Sequence, residues 1–100
     1  MRLSDFEIGC IKNLANLHFG NDVQVFLFGS RTNPQLRGGD IDLFVRNPSG
    51  KQLMVRSKID FITDLMLQIG EQRIDVVLDH EEARNSVFFR TIKQTAIQIC

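Results

Sequence analysis

Between Val25 and Val45 the chain reads VFLFGSRTNPQLRGGDIDLFV, and the placement of acids in this stretch limits the folds open to it. An apolar run ends in Gly29-Ser30, a polar loop follows, and a second apolar run opens with Asp40-Ile41-Asp42. Successive side chains of a strand point to opposite faces. Asp40 and Asp42 therefore share one face, while Ile41, Leu43 and Val45 take the other. Adjacent carboxylates repel, and no soluble core would choose them. Their simplest use is to hold a divalent cation beside a small Gly-Ser turn that could receive a phosphate.

A further acid sits in the same kind of setting. Asp75 lies between Ile74 and Val76 in RIDVVL, which reads as a strand with Ile74, Val76 and Leu78 on one face. Asp is depleted from strands, so its recurrence there needs a reason. If the two acid-bearing strands are neighbours and both turn their apolar faces to the helices, Asp40, Asp42 and Asp75 converge on the opposite, open face. Three such carboxylates suit two hard cations, with Mg²⁺ preferred, held about 3.5–4 Å apart. A purely structural alternative has Asp40 capping a turn and Asp75 pairing with Arg73 or Arg37. Gly29-Ser30 alone signals only a turn. Its weight comes from standing directly before the acidic strand, where a glycine admits close backbone approach and a hydroxyl can donate to phosphate.

The remainder of the chain supplies a scaffold. Ser4 with Glu7 forms a capping-box pattern and opens a helix expected over Ser4 to His18, stopped by Gly20-Asn21-Asp22. Val23 to Phe28 is β-rich and apolar on both faces, as expected of a central strand. Ile41 to Arg46 forms the second strand. From Lys51 to Ile69 the apolar period becomes helical, and Gly70 stands where a C′ glycine belongs. Arg73 to Leu78 forms a third strand, a helix is expected over Ser86 to Gln94, and Ala96 to Cys100 alternates like an edge strand. The order is α-β-turn-β-α-β-α, an α/β (α+β) domain over residues 1–100. A small mixed sheet is expected, with helices mainly on one face and the first two strands antiparallel.

Composition narrows the function classes. Lys+Arg and Asp+Glu are 12 each, so the chain lacks the basic excess of a bulk nucleic-acid binder. Cys10 and Cys100 stand at opposite ends without a CxxC pair, which favours a reducing cytoplasm. The acidic N-terminal stretch is not a signal peptide, and no apolar run approaches the roughly 20 residues of a membrane span. His18 and His80 lack metal-ligand spacing and read as surface residues, as do the solvated charges Asp60, Asp64 and Glu71. Glu81-Glu82 favour the start of the last helix, and Cys10 reads as a small core residue. One of Phe88 and Phe89 is expected at an interface, because adjacent helical residues diverge by about 100°.

The pattern Gly-Ser, nine residues, Asp-Ile-Asp-Leu and a downstream strand Asp resembles the DNA polymerase β-like nucleotidyltransferase superfamily. Within it the chain is similar to the minimal nucleotidyltransferases of MntA antitoxin type, over essentially its whole length. The resemblance implies that Asp40 and Asp42 are paired metal ligands and that Asp75 is the third carboxylate, able to help deprotonate an attacking hydroxyl. It assigns Gly29 and Ser30 to the triphosphate of an incoming nucleotide, and Arg31 either to a phosphate or to solvent. Two departures stand out: many relatives carry Ala-Arg/Lys-Gly after Gly-Ser where this loop reads Arg-Thr-Asn-Pro, and many have Ser where Gly39 precedes Asp40. Arg37 could supply the missing charge.

The implied reaction transfers a nucleoside monophosphate, AMP from ATP, to an acceptor hydroxyl with release of pyrophosphate. Only about 25 residues follow Asp75, which leaves no room for an acceptor-binding domain, so the acceptor surface is expected on a partner in a homo- or hetero-oligomer. Proteins of this type are commonly encoded beside a helical HEPN-type toxin, and their antitoxin role (type VII) includes AMP transfer to a toxin tyrosine. Two other readings carry less of the sequence. One is a non-catalytic nucleotide- and metal-binding module that neutralises its partner by contact; the other is a structural domain, which leaves three acids without a purpose.

Overall fold

The computed structural model describes residues 3–28, 41–48, 53–70, 72–79 and 96–100. Helix α1 (Asp5–Phe19) begins as the capping box requires. The Ser4 hydroxyl accepts from the Glu7 N–H at 3.1 Å, and the Glu7 carboxylate accepts from the Ser4 N–H at 3.0 Å. Two orphan amides of the first turn are thereby satisfied. Gly20 ends the helix at φ 104°, a conformation that a Cβ strongly disfavours.

Strands β1 (Gln24–Phe28) and β2 (Ile41–Arg46) pair antiparallel, as expected from their short connection. Helix α2 (Val55–Ile69) then carries the chain to β3 (Ile74–Leu78), which pairs parallel with β2. A parallel pair needs a long crossover, and α2 supplies it. The expected edge strand exists as β4 (Ile97–Gln98), antiparallel to β1. The sheet order is β3-β2-β1-β4, so β1 is an inner strand, in keeping with its apolar composition. The helix expected over Ser86 to Gln94 lies outside the described residues, with Glu71, His80, Glu81, Glu82, Phe88 and Phe89.

Most boundaries shift by a residue or two from the sequence expectation, and one shifts by more. Helix α2 starts at Val55 rather than Lys51, with Met54 as N-cap and no side-chain cap. Leu53 explains the shift. It is buried in the core, so the chain enters the helix from an extended segment anchored by packing rather than by a capping hydrogen bond.

Both helices cover the same sheet face. Val25 and Leu27 of β1, Ile41, Leu43 and Val45 of β2, and Ile74, Val76 and Leu78 of β3 join Ile11, Leu14 and Ala15 of α1 and Phe61 and Leu65 of α2 in one core. Each fully buried side chain of this size contributes about 1.5–3 kcal/mol relative to exposure. Period-2 alternation thus places the even residues of β2 and the odd residues of β3 on the far face. That face is not bare, contrary to expectation: Phe44 is only 2% exposed, and its ring lies 6.3 Å from that of Phe26.

Helix α1 is tied to α2 and the segment after it at both of its ends. At one end Phe61 meets Phe19 at 5.3 Å and the edge of His18 at 6.4 Å. At the other, Gln72 donates to the Glu7 carboxylate at 3.2 Å. His18 is not the surface residue expected, whereas the Asp64 side chain keeps 42% of its exposure. They make a 2.7 Å contact between the helices, and the His18 side chain is only 16% exposed. The expectation missed this because partners 46 residues apart carry no local signal. Cys10 is the small core residue expected, and Cys10 and Cys100 are both free thiols.

Candidate active site

The far face of the sheet carries one lateral row that crosses three strands. Phe28 of β1 stands opposite Asp42 of β2, and Asp42 stands opposite Asp75 of β3. Directly paired residues project to the same side. The sequence required only that Asp42 and Asp75 both avoid the core. The parallel register then sets them in the same row, on strands about 4.8 Å apart. Two carboxylates at that spacing can share a hard cation at the Mg–O distance of about 2.0–2.1 Å, so the donor set fits a divalent metal.

Beneath this row lies another, made of Val77, Phe44, Phe26 and Gln98. Its apolar members give the acids a low-dielectric floor on one side, where charge interactions are stronger than in water. Phe28 continues that floor beside Asp42. The sequence held the necessary clue, because with Val25 and Leu27 in the core Phe28 must face the acid side. Asp42 itself is half-buried and is engaged in further interactions.

Asp75 also has a cationic neighbour. The Arg73 Nε lies 3.6 Å from its Oδ2, with the Arg73 side chain 75% exposed and that of Asp75 48% exposed. This is one of the two structural partners weighed for Asp75. The other, Arg37, lies outside the described residues. So exposed an ion pair contributes little to folding. It does not account for an aspartate inside a strand and in register with another.

Gly29, Ser30, Arg31 and Asp40 also lie outside the described residues. Their neighbours fix where the chain leaves and re-enters: β1 ends at Phe28 and β2 begins at Ile41, both at the acid end of the sheet. Among the described residues no group of three His, Cys, Asp or Glu could hold a metal ion, and two acids of the expected three are brought together. No helix among them is long and apolar enough to cross a membrane.

The profile of the nucleotidyltransferase domain matches residues 11–98, which include both sheet carboxylates and the whole connection between β1 and β2. The chain belongs to this family. A search of curated proteins gave no match. Among solved structures, this nucleotidyltransferase is similar to a chain from the toxin–antitoxin complex MntA-HpeT, crystallised as a mutant with two aspartate-to-glutamate substitutions two positions apart. The likeness has a TM-score of 0.73 at 17% identity and covers 93% of this chain and 71% of that one. It shows that the fold is shared, including the mixed sheet with its helices on one face.

Proposed function

We propose that the chain is a Mg²⁺-dependent nucleotidyltransferase that moves AMP from ATP to a hydroxyl of a partner protein, and that it serves as the antitoxin of that partner. The observation that carries this reading is the register of Asp42 opposite Asp75 on the face away from the helices. Membership of the nucleotidyltransferase family gives the reaction class. The similar structure is a toxin–antitoxin complex, which supports a toxin as partner; a helical HEPN-type protein with an acceptor tyrosine is the version proposed here.

In this reading Asp40, Asp42 and Asp75 hold the metal, two ions in all. When bound, the metal supplies charge neutralisation of the triphosphate and a lowered pKa for the acceptor hydroxyl. The chain's own residues do the positioning. Asp75 accepts the proton of the attacking hydroxyl, while Gly29 and Ser30 offer backbone and hydroxyl donors to the phosphates and Arg31 adds a charge. Phe28 and the apolar row behind it exclude water from one side of the acids. The protein forms no covalent bond, so orientation and charge stabilisation carry the acceleration.

The test incubates the protein with labelled ATP, Mg²⁺ and the helical protein encoded beside it. Label should move to the partner with wild type and not with Asp42→Asn. Equal labelling by the two, or none by wild type, rejects the catalytic reading. Neutralisation of the partner without any labelling would mean that contact alone silences it.

A further inference from the structure

We infer that Arg73 and a divalent cation compete for the carboxylate of Asp75, so that the guanidinium acts as a built-in brake on metal binding. The inference rests on Asp75 being a metal ligand, as proposed above.

Arg73 is held where it can play this part. Its carbonyl accepts from the Ile41 N–H at 2.9 Å, which pins the residue at the mouth of β3 beside the start of β2. Residues 73 and 75 are two apart at a strand entrance, so both side chains fall on the acid face. At 3.6 Å the contact is a loose ion pair rather than a tight hydrogen bond. Its two exposed groups make it weak enough to exchange.

The competition follows from charge. Asp42 and Asp75 stand in one row, and their mutual repulsion is relieved by either cation. A divalent ion would bring twice the charge of the guanidinium to the same carboxylate, and to bind there it would have to displace the guanidinium. Displacement has a second consequence. It leaves Arg73, tethered by its backbone, on the same face at which a triphosphate would arrive, with its positive charge no longer taken up by Asp75.

The experiment titrates the full chain with Mn²⁺, a paramagnetic stand-in for Mg²⁺, and follows the loss of the free-ion resonance signal. Arg73→Gln should bind Mn²⁺ about two- to fivefold more tightly than wild type, the range expected for an exposed ion pair. Arg73→Lys keeps the charge and should stay near wild type. Arg46→Gln removes a charge from the same sheet face about 13 Å from Asp42, beyond the Debye length of about 8–10 Å, and should change little. The gain from Arg73→Gln should shrink at high salt and vanish when Asp75→Asn is added. If wild type binds Mn²⁺ and Arg73→Gln binds it equally or more weakly, the inference falls and the metal site stands. If neither protein binds the ion, the metal-dependent reading falls and takes the inference with it.

Discussion

The imidazole Nε2 of His18 lies 2.7 Å from Oδ2 of Asp64, joining the last turn of α1 to the middle of α2. The same ring meets Phe61 edge-on, and Phe61 is fully buried. This polar contact therefore sits at the border of the core and aligns the helices that cover the sheet. A hydrogen bond in such a position contributes about 0.5–1.5 kcal/mol, and stranding one partner costs about 1–3 kcal/mol. His18→Ala and Asp64→Asn should each lower the unfolding free energy by about 1–2 kcal/mol. In a denaturant double-mutant cycle the two losses should be less than additive; full additivity would show that the contact contributes nothing.

Asp42 and Asp75 should behave in the opposite way. Neither belongs to the core, so Asp42→Asn and Asp75→Asn should leave the melting temperature within a few degrees of wild type. Outer-shell partners of metal ligands cost about 10–100-fold in affinity or activity when lost, and a direct ligand should cost at least as much. In the proposed role of direct metal ligands, each variant should therefore lose a hundredfold or more in nucleotidyl transfer. Thermal melts paired with transfer assays separate the two effects, and unfolding of Asp75→Asn would assign that residue a structural role.

Gly70 closes α2 at φ 94° and ψ 171°, donating its N–H to the Met66 carbonyl at 3.0 Å. A Cβ built there meets no atom of the described residues within 4 Å, so among them only the backbone conformation is at stake. Gly70→Ala should destabilise by about 1 kcal/mol or more, because that region of φ/ψ is almost closed to residues with a side chain. Gly9 is also free of such contacts but has ordinary helical geometry, so Gly9→Ala should stabilise by up to about 1 kcal/mol. Chemical denaturation of the two variants should show opposite signs.

Burial pushes the Cys100 thiol above its ordinary value of 9.0, against the opposing pull of a Val25 backbone hydrogen bond and the Lys12 charge. The folded state then holds the thiol proton at pH values where the unfolded chain releases it. The sign follows: the contribution is complete below pH 9 and is lost as pH rises through the folded-state value. Wild type should lose stability relative to Cys100→Ser between pH 9 and the folded-state value, with no such divergence between pH 7 and 8. Denaturant midpoints at these pH values measure it, and a constant difference would refute it.

Much of this protein is determined by the sequence alone, because the responsible interactions are local. The capping box of Ser4 and Glu7, the stops at Gly20 and Gly70, and the switch from period 2 to period 3.6 after Pro48 place most elements to within a few residues. Alternation alone sends Asp42 and Asp75 away from the core, since Ile41, Leu43, Ile74 and Val76 must face it. The start of α2 was less legible because Leu53 anchors it by packing, and packing has no local signature.

Only the tertiary structure decided which residues meet. Nothing in RIDVVL says that this strand lies beside β2 rather than at another edge, or that its register brings Asp75 opposite Asp42 instead of one row away. The covering of Phe44 and the bridge from His18 to Asp64 likewise arise from chain paths closed by the fold. The physical reason is the same in each case. A residue's face is set by its immediate neighbours through backbone geometry, whereas its partner is set by the packing of whole elements.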